Sequence, residues 1–233
     1  MTVVNLSLSE IHDLALEAFT QNGCDPQNAG ALTRTVVAAE RDGSHSHGLF
    51  RVPGYVASLR SGKVNGAADP QISNKSPVIV NANGDDGYAP LAIERGIPAL
   101  AKAASEFGIA VMTLTHTHHF AALWPEVEAL AEQNLAGMAC VSYMPNVAPH
   151  GSNKPLFGTN PLAFAWPRKN KPPFVFDMAT SAMAGGDVAI AARDGHSVPL
   201  GTGLDENGNE TTDPAAILKG VLLPFGGHKG SAI

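Results

Sequence analysis

Residues 77–115 read PVIVNANGDDGYAPLAIERGIPALAKAASEFGIAVMTLT, and this stretch decides the fold. The run from Pro77 to Val80 is rich in β-branched residues and predicts a strand. The alanine-rich run from Tyr88 to Phe107 predicts a helix that Gly108 ends, and Ile109 to Thr115 predicts a second strand. A strand, a helix and another strand in succession indicate a layered α/β domain.

The flanking sequence adds helices before this stretch and further alternation after it. Ser7 and Glu10 form an S-x-x-E capping box that predicts a helix over 7–22. Other helices are expected from Asp25-Pro26 onward, from Ser46 to about Arg60 and over 125–133, and other strands over 135–142, 162–167 and 174–180. We therefore expect an α/β fold with a mixed sheet and an N-terminal helical region.

The composition is that of a globular protein and excludes several functional classes. The chain has 233 residues, of which 44% are hydrophobic and 15% charged, and its net charge is −6. An acidic chain without a basic run is a poor match for nucleic acid or an anionic membrane surface. No apolar run reaches the length of about 18 residues that a membrane span needs, and no basic and apolar leader is visible.

The cysteine content limits the covalent and metal chemistry. Cys24 and Cys140 are the two cysteines, too few for a disulfide framework or a four-cysteine zinc site. A reduced, cytoplasmic setting is therefore expected.

The common nucleotide-binding motifs are missing from the sequence. The string nearest to G-x-G-x-x-G, at 201–206, lacks the third glycine. The string at 226–231 is not a P-loop, because neither Ser nor Thr follows Lys229. The sequence thus predicts neither a Rossmann half nor a P-loop domain.

The densest group of chemically active side chains is SHSHGLFR at 44–51. If Ser46 caps a helix, His47 stands in its first turn and Arg51 lies one turn further along the same face. Arginine grips a carboxylate through two parallel hydrogen bonds, and histidine exchanges a proton near neutral pH. The pattern favours a site where both groups act on one molecule. A polar helix start with surface histidines is the alternative, and the spacing alone leaves both open.

The histidine-rich string THTHHF at 115–120 follows a predicted buried strand, where sites of α/β proteins usually form. It is open to three interpretations: a ligand or cofactor contact, a metal site, or a plain loop. Metal is the least favoured, because neither an HExxH motif nor paired cysteines accompany the string.

Two other strings give weaker signals. Thr159 offers a hydroxyl beside Gly158, although a structural turn is the simpler interpretation. Asp177 lies in a predicted strand. Asp187 follows a glycine pair and is either a turn residue or a carboxylate that orients His47.

Six strings in order resemble one family. They are RDGSHSHGLFRVPGY (41–55), HHFAALWP (118–125), PHG (149–151), PLFGTNP (155–161), FDMATSAMAGGDV (176–188) and LPFGGHKG (223–230). Together they are similar to the malate/L-lactate dehydrogenase type 2 oxidoreductases, which bind NAD(P) without a Rossmann fold. The doubled SHSH and the FAALW run favour the branch of that family that reduces cyclic imine acids.

The resemblance implies a role for each matching residue. His47 is expected to be the proton donor, linked to Ser46 and Asp187 in a relay, and Arg51 and Thr159 are expected to bind substrate. The residues implied in cofactor binding are His119, Phe120, Ala121, Ala122, Leu123, Asp177, Met178, Ala179, His228 and Lys229. The implied cofactor is NADPH, with NADH as a possibility; no metal is expected, and the family implies a homodimer.

The function that the resemblance implies is NADPH-dependent reduction of Δ1-piperideine-2-carboxylate to L-pipecolate and of Δ1-pyrroline-2-carboxylate to L-proline. A 2-hydroxy acid dehydrogenase of the malate or lactate type is the first alternative. Family members continue beyond the position of Ile233, so a missing C-terminal part is expected, and a catalytically silent fragment is the second alternative. The expected division is an N-terminal helical region, 1–75, with the His/Arg helix, and an α/β cofactor-binding domain, 76–233.

Overall fold

The computed structural model describes residues 4–119 and 121–232, and it divides into two compact units. The first comprises Met1–Ala136 with Trp166–Pro173, and the second comprises Gly137–Ala165 with Phe174–Ile233. By contacts alone, residues 76–136 therefore group with the N-terminal helices. The functional division at residue 75 is a different kind of partition and stays a prediction.

The first unit begins with helices whose ends follow the sequence. The elements are α1 (Leu8–Thr20), α2 (Pro26–Arg41), α3 (Val52–Arg60), β1 (Gln71–Ser76), β2 (Ile79–Tyr88), α4 (Ala89–Phe107), β3 (Val111–His118) and α5 (Trp124–Ala131). The expected capping box is present, since Ser7 and Glu10 cap each other's backbone at the start of α1. Asp25 caps α2 through the amide of Asn28, with Pro26 in the first turn.

The sheet of the first unit is mixed, as expected. β2 lies in the middle, antiparallel to β1 and parallel to β3. Helix α4 connects the two parallel strands, which is the connection a parallel pair requires. Gly108 ends α4 with a φ of 82°, in the left-handed conformation that suits glycine.

A buried aromatic cluster fixes α3, the helix that follows the SHSHGLFR string. Phe19, Tyr55 and Tyr88 are nearly inaccessible, and their rings meet edge to face at 5.9 and 5.1 Å. The hydroxyl of Tyr88 donates a 2.6 Å hydrogen bond to the carbonyl oxygen of Tyr55. The start of α3, and with it residue 51, is therefore fixed against the core of the unit.

The second unit contains a three-stranded sheet and a two-stranded one. Its elements are β4 (Gly137–Cys140), β5 (Leu162–Arg168), β6 (Lys171–Met178), α6 (Gly185–Asp194), β7 (Gly203–Leu204), α7 (Pro214–Lys219) and β8 (Val221–Leu222). The larger sheet has the order β4-β5-β6, and β4 and β5 run antiparallel. A core of Val147, Val188, Val198, Ile217 and Leu222 holds α6 and α7. The expected α/β class is confirmed, and the described strands do not form the long parallel sheet of a Rossmann fold.

One expectation about local structure was wrong, and one strand was not predicted. The helix expected from Ser46 to Arg60 is broken into two 3-10 turns, His45–His47 and Leu49–Arg51, followed by α3. Pro53 stands in the first turn of α3, because proline has no N–H to lose at that position. The strand at 71–76 was missed because its sequence, QISNKS, is polar and shows no alternation of hydrophobic residues. The strand lies at the edge of the sheet and is largely exposed.

Candidate active site

The SHSHGLFR string forms a compact bend in which His47 and Arg51 do not share an α-helical face. Ser46 is not a helix cap, and Ser44, which precedes the first 3-10 turn, makes no capping bond with its side chain. The spacing argument for a shared face was therefore wrong in its geometry. The two side chains are instead tied together through Ser46.

Two hydroxyls face one nitrogen of the His47 ring. Nδ1 lies 3.2 Å from Oγ of Ser46 and 3.3 Å from Oγ of Ser44. Ser46 is buried and His47 is half-buried. Because either hydroxyl can donate or accept, this arrangement fixes the ring plane in more than one protonation state of the imidazole.

Arg51 is held by the backbone of the same serine. Its Nε donates a 2.8 Å hydrogen bond to the carbonyl oxygen of Ser46, and its guanidinium carbon lies 5.9 Å from the centre of the Phe50 ring. Among the described residues, its two Nη groups make no hydrogen bond. A half-buried guanidinium with both Nη groups uncommitted is suited to a carboxylate.

Glu40, a residue that sequence reasoning missed, lies beneath this bend. Its Oε1 accepts a 2.7 Å hydrogen bond from the amide of Leu49, and its Oε2 lies 2.8 Å from Nδ1 of His45. The signal in the sequence was a glutamate in the last turn of a helix, where the helix dipole disfavours a carboxylate. A glutamate at this position is therefore expected to have a partner outside the helix.

A second link joins the bend to the loop before α5. The indole N–H of Trp124 donates a 3.0 Å hydrogen bond to Asp42, which also pairs with Arg41 through two hydrogen bonds of 2.7 Å. Arg41 holds the pKa of Asp42 below its usual value, and the indole adds to this. The strings at 41–55 and 118–125 therefore meet within the first unit.

His119 stands at the wall of a cavity of about 320 Å³ in the first unit. Its Nε2 lies 2.5 Å from Oε1 of Glu126, and its buried Nδ1 has no hydrogen-bond partner among the described residues. Ala121 and Ala122 also line this cavity, whereas Leu123 is buried as the residue before α5. Phe120 lies outside the described residues. Sequence reasoning missed Glu126, which stands in the first turn of α5.

The strings of the second unit also converge. The carbonyl oxygen of Thr159 accepts from the amide and from the hydroxyl of Thr180, at 2.7 and 3.0 Å, and the carbonyl oxygen of Thr180 accepts from the amide of Phe225 at 3.0 Å. A cavity of about 400 Å³ lies beside them, lined by Val147, Phe157, Asn160, Thr180, Pro224, Gly230 and Ser231. The strings at 155–161, 176–188 and 223–230 therefore form one wall.

Gly158 has a packing role next to Thr159. A Cβ at this position would lie 2.3 Å from the carbonyl oxygen of Tyr143 and 2.6 Å from Oδ1 of Asn160. The same Oδ1 accepts from the amide of Tyr143 at 2.9 Å. Neighbouring protein atoms thus explain why residue 158 has no side chain.

The remaining expected residues of the second unit occupy three positions. Asp177 and Met178 end β6 and Ala179 follows, with Met178 exposed and the other two half-buried. Asp187 is exposed in the first turn of α6, so it is a helix residue and not a turn residue. His228 and Lys229 are exposed, and the ring of His228 meets that of His150 at 5.9 Å.

The fold is of the α/β class, and its first unit places a guanidinium beside an oriented imidazole. Comparison with known proteins identifies the family to which the chain belongs. Residues 6–233 match the model of the malate/L-lactate dehydrogenase family, and the chain belongs to that family. It is therefore an oxidoreductase of a dehydrogenase family that uses a nicotinamide cofactor, as the resemblance implied.

Characterised relatives are similar over the whole chain. The Δ1-pyrroline-2-carboxylate/Δ1-piperideine-2-carboxylate reductase of Pseudomonas putida is 50% identical over 100% of this chain and 68% of its own length. The crystal structure of Δ1-piperideine-2-carboxylate reductase from Pseudomonas syringae pv. tomato superposes with a TM-score of 0.93 at 47% identity, covering 99% of this chain and 70% of that one. Sulfolactate dehydrogenase from Methanocaldococcus jannaschii gives 0.85 at 31% identity, covering 97% and 66%.

None of the helices in 4–119 and 121–232 has the length and apolarity to cross a bilayer. Within the same residues, no three His, Cys, Asp or Glu side chains are grouped so that they could hold a metal ion.

Proposed function

We propose that the protein reduces cyclic imine acids, converting Δ1-piperideine-2-carboxylate to L-pipecolate and Δ1-pyrroline-2-carboxylate to L-proline, with NADPH. The observation that carries the proposal is the joint anchoring of His47 and Arg51 by Ser46 in a chain 50% identical to a reductase named for these substrates. The reaction adds a hydride to the imine carbon and a proton to the nitrogen, so the C=N bond becomes a secondary amine.

Arg51 binds the substrate carboxylate. Because Nε is committed to Ser46, the carboxylate meets the two Nη groups and is held at two points. Fixing the ring by its carboxylate converts a random encounter into an oriented one, which lowers the entropic part of the barrier. Thr159 supplies a second polar contact to the substrate in this proposal.

His47 delivers the proton to the imine nitrogen. Contacts from Ser44 and Ser46 fix Nδ1, so the proton leaves from Nε2, the other ring nitrogen. The ring must then be recharged. We assign Ser46 and Asp187 to that relay, since a carboxylate stabilises the charged imidazolium and a hydroxyl passes a proton on.

The chain has groups that fit a nicotinamide dinucleotide. The buried Nδ1 of His119, without a partner among the described residues, is the kind of polar atom that a bound group satisfies. The wall of the same cavity has four glutamates, Glu94, Glu126, Glu128 and Glu132, against two arginines, Arg34 and Arg41, so its net charge disfavours phosphates. We therefore assign phosphate binding to His228 and Lys229, which follow Gly226 and Gly227, both at a φ of 62°.

The other residues assigned to cofactor binding are Ala121, Ala122, Leu123, Asp177, Met178 and Ala179. Reduced nicotinamide, when bound, supplies the hydride. The preference for NADPH over NADH, the homodimer and the cytoplasmic location stay predictions.

A 2-hydroxy acid dehydrogenase is the second candidate. The structural similarity to sulfolactate dehydrogenase, a TM-score of 0.85, favours it, because the same guanidinium and imidazole can act on a keto acid. The lower identity, 31% against 50%, is the reason to rank it second.

The proposal is tested by product analysis. The chain is incubated with NADPH and Δ1-piperideine-2-carboxylate, and L-pipecolate is separated on a chiral column and compared with NADPH consumed. We expect one L-pipecolate for each NADPH, and no product from His47→Gln. Formation of a hydroxy acid from pyruvate or oxaloacetate, without L-pipecolate from the imine, would overturn the proposal in favour of the second candidate.

A chimera separates inactivity of this length of chain from a wrong substrate. The chain is joined to the part of the Pseudomonas putida reductase that lies outside the 68% covered by this chain. Activity of the chimera but not of the chain would show that this additional part is needed for a working site. Inactivity of both on the imine would contradict the proposed function.

A further inference from the structure

We propose that Glu40 is a positioning residue for the reaction: its carboxylate fixes the bend that presents His47 and Arg51. This inference rests on the proposed function for its substrate, but its structural part depends only on contacts within the first unit. It assigns a role to a residue that neither touches substrate in our account nor belongs to the relay.

The first observation is the hydrogen bond between Glu40 and the backbone of the bend. The amide of Leu49 donates to Oε1 at 2.7 Å, and Leu49 lies between His47 and Arg51. A charged acceptor makes this bond stronger than an ordinary one between backbone groups. It fixes the backbone at the junction between the two 3-10 turns, where no regular helix holds it.

The second observation is the close approach of Gly48 to the same carboxylate. A Cβ at position 48 would lie 2.1 Å from Oε1 and 2.5 Å from the carboxyl carbon of Glu40. Any side chain at residue 48 would therefore push the carboxylate away from Leu49. The glycine that follows His47 is explained by this packing.

The third observation is the burial of the glutamate. The side chain of Glu40 is 14% exposed, whereas His45, its other partner, is 69% exposed. A largely buried carboxylate needs hydrogen bonds to offset lost solvation, and the amide of Leu49 supplies one from within the protein. Exposed His45 adds little, because ion pairs in solvent contribute weakly.

Three variants separate these contributions. Glu40→Ala removes the acceptor for Leu49. Glu40→Gln keeps an oxygen acceptor of the same length and removes the charge. His45→Ala is the matched control, since it removes only the exposed partner.

The kinetic expectations follow from displacement of both functional groups. Glu40→Ala should raise KM for the imine acid and lower kcat, together reducing kcat/KM about 10–100-fold, the effect of a displacement of about 1 Å. KM for NADPH should stay unchanged. Glu40→Gln should recover most of the loss, and His45→Ala should match the natural protein. A merely structural role would lower the fraction of folded enzyme and leave KM unchanged.

Two spectroscopic measurements test the positioning without turnover. In Glu40→Ala, hydrogen exchange at the amide of Leu49 should be faster and the ring signals of His47 should shift in the NMR spectrum, while Glu40→Gln should resemble the natural protein in both. Gly48→Ala should mimic Glu40→Ala but add little to it, because the two changes break the same contact.

The outcomes separate this inference from the proposed function. If the natural protein prefers a keto acid, the variants are assayed on that acid; the reductase assignment then fails while the positioning role is still tested. Unchanged KM and kcat in Glu40→Ala, or unchanged exchange at Leu49, would overturn the role of Glu40 whatever the substrate.

Discussion

Nε of Arg51 donates a 2.8 Å hydrogen bond to the carbonyl oxygen of Ser46, whose hydroxyl lies 3.2 Å from Nδ1 of His47. One buried serine thus positions the group that we assign to the substrate carboxylate and the group that we assign to proton transfer. Because the contact to Arg51 comes from the backbone carbonyl, a substitution at Ser46 removes only the hydroxyl beside His47, whereas a displacement of the backbone at residue 46 affects both groups.

Arg51→Lys should impair binding more than chemistry. An ammonium cannot donate to Ser46 and grip a carboxylate at two points as well. We expect KM for the imine acid to rise about 10–100-fold, corresponding to about 1.5–3 kcal/mol for a hydrogen bond to a charged group, with a smaller change in kcat. Steady-state kinetics at saturating NADPH measure both. An unchanged KM would show that Arg51 has only a structural role.

Removing the hydroxyls around His47 one at a time should lower activity in steps. Ser46→Ala leaves Ser44 within 3.3 Å of the ring, and Ser44→Ala leaves Ser46 within 3.2 Å. We expect each single variant to lose less than half as much activity as the double variant, because either hydroxyl can orient Nδ1. Equal effects of single and double variants would argue against a shared role.

Glu126→Gln should weaken binding of the cofactor and leave binding of the substrate unchanged. The change removes the charge opposite Nε2 of His119 but keeps an oxygen acceptor, so the hydrogen bond that orients the ring is weakened. We expect KM for NADPH to rise about fivefold, since a hydrogen bond to a charged group is stronger by about 1 kcal/mol than one to a neutral group. Glu132→Gln, on the same wall but without this contact, is the control. The assignment would be wrong if KM for the imine acid changed and KM for NADPH did not.

The Asp42–Trp124 contact should give a stability signal that depends on pH. Arg41 lowers the pKa of Asp42, so the ionised carboxylate is favoured in the folded protein. Its contribution is present above the ordinary aspartate pKa of 3.8 and is lost as the pH falls through the lower folded value. Asp42→Asn should therefore be less stable near neutral pH and equal in stability at the acidic end.

Trp124 provides an optical reading of the same titration. In a Trp166→Phe background, the fluorescence of Trp124 should change with a midpoint below 3.8 as Asp42 takes up its proton. The Asp42→Asn variant should lack this transition. A midpoint above 3.8 would contradict the pairing.

Gly158→Ala should disturb the second unit alone. The added Cβ meets the carbonyl oxygen of Tyr143, a backbone atom that cannot swing aside as a side chain can. We expect a loss of about 1–3 kcal/mol in the free energy of unfolding, typical of overpacking. Denaturant unfolding measures it, with Gly54→Ala, where nothing lies within 4 Å, as the control.

The sequence predicted the elements that carry local signals. The capping box at Ser7 and Glu10, the proline after Asp25 and the glycine after Phe107 each fix a helix end by contacts within a few residues. The six strings predicted the family for the same reason, since each is continuous in the chain. The bend at 44–51 was misjudged because helical spacing was assumed where Gly48 and Glu40 impose 3-10 turns.

The contacts that the sequence did not reveal are those between distant residues. Glu40 meets Leu49, Asp42 meets Trp124 and Thr159 meets Thr180 through the fold, and no periodicity encodes such pairs. Glu126 was missed for a different reason: a glutamate in the first turn of a helix is favoured by the helix dipole and calls for no other explanation.

The ratio of kcat/KM for Δ1-piperideine-2-carboxylate to that for pyruvate, measured with NADPH on one preparation of the protein, tests the central claim most directly. If the chain shares the substrates of the reductase to which it is 50% identical, the imine should be favoured by about 100-fold or more, equivalent to about 2.7 kcal/mol of transition-state binding. A ratio of one or below would contradict the claim and assign the pair of His47 and Arg51 to a carbonyl substrate.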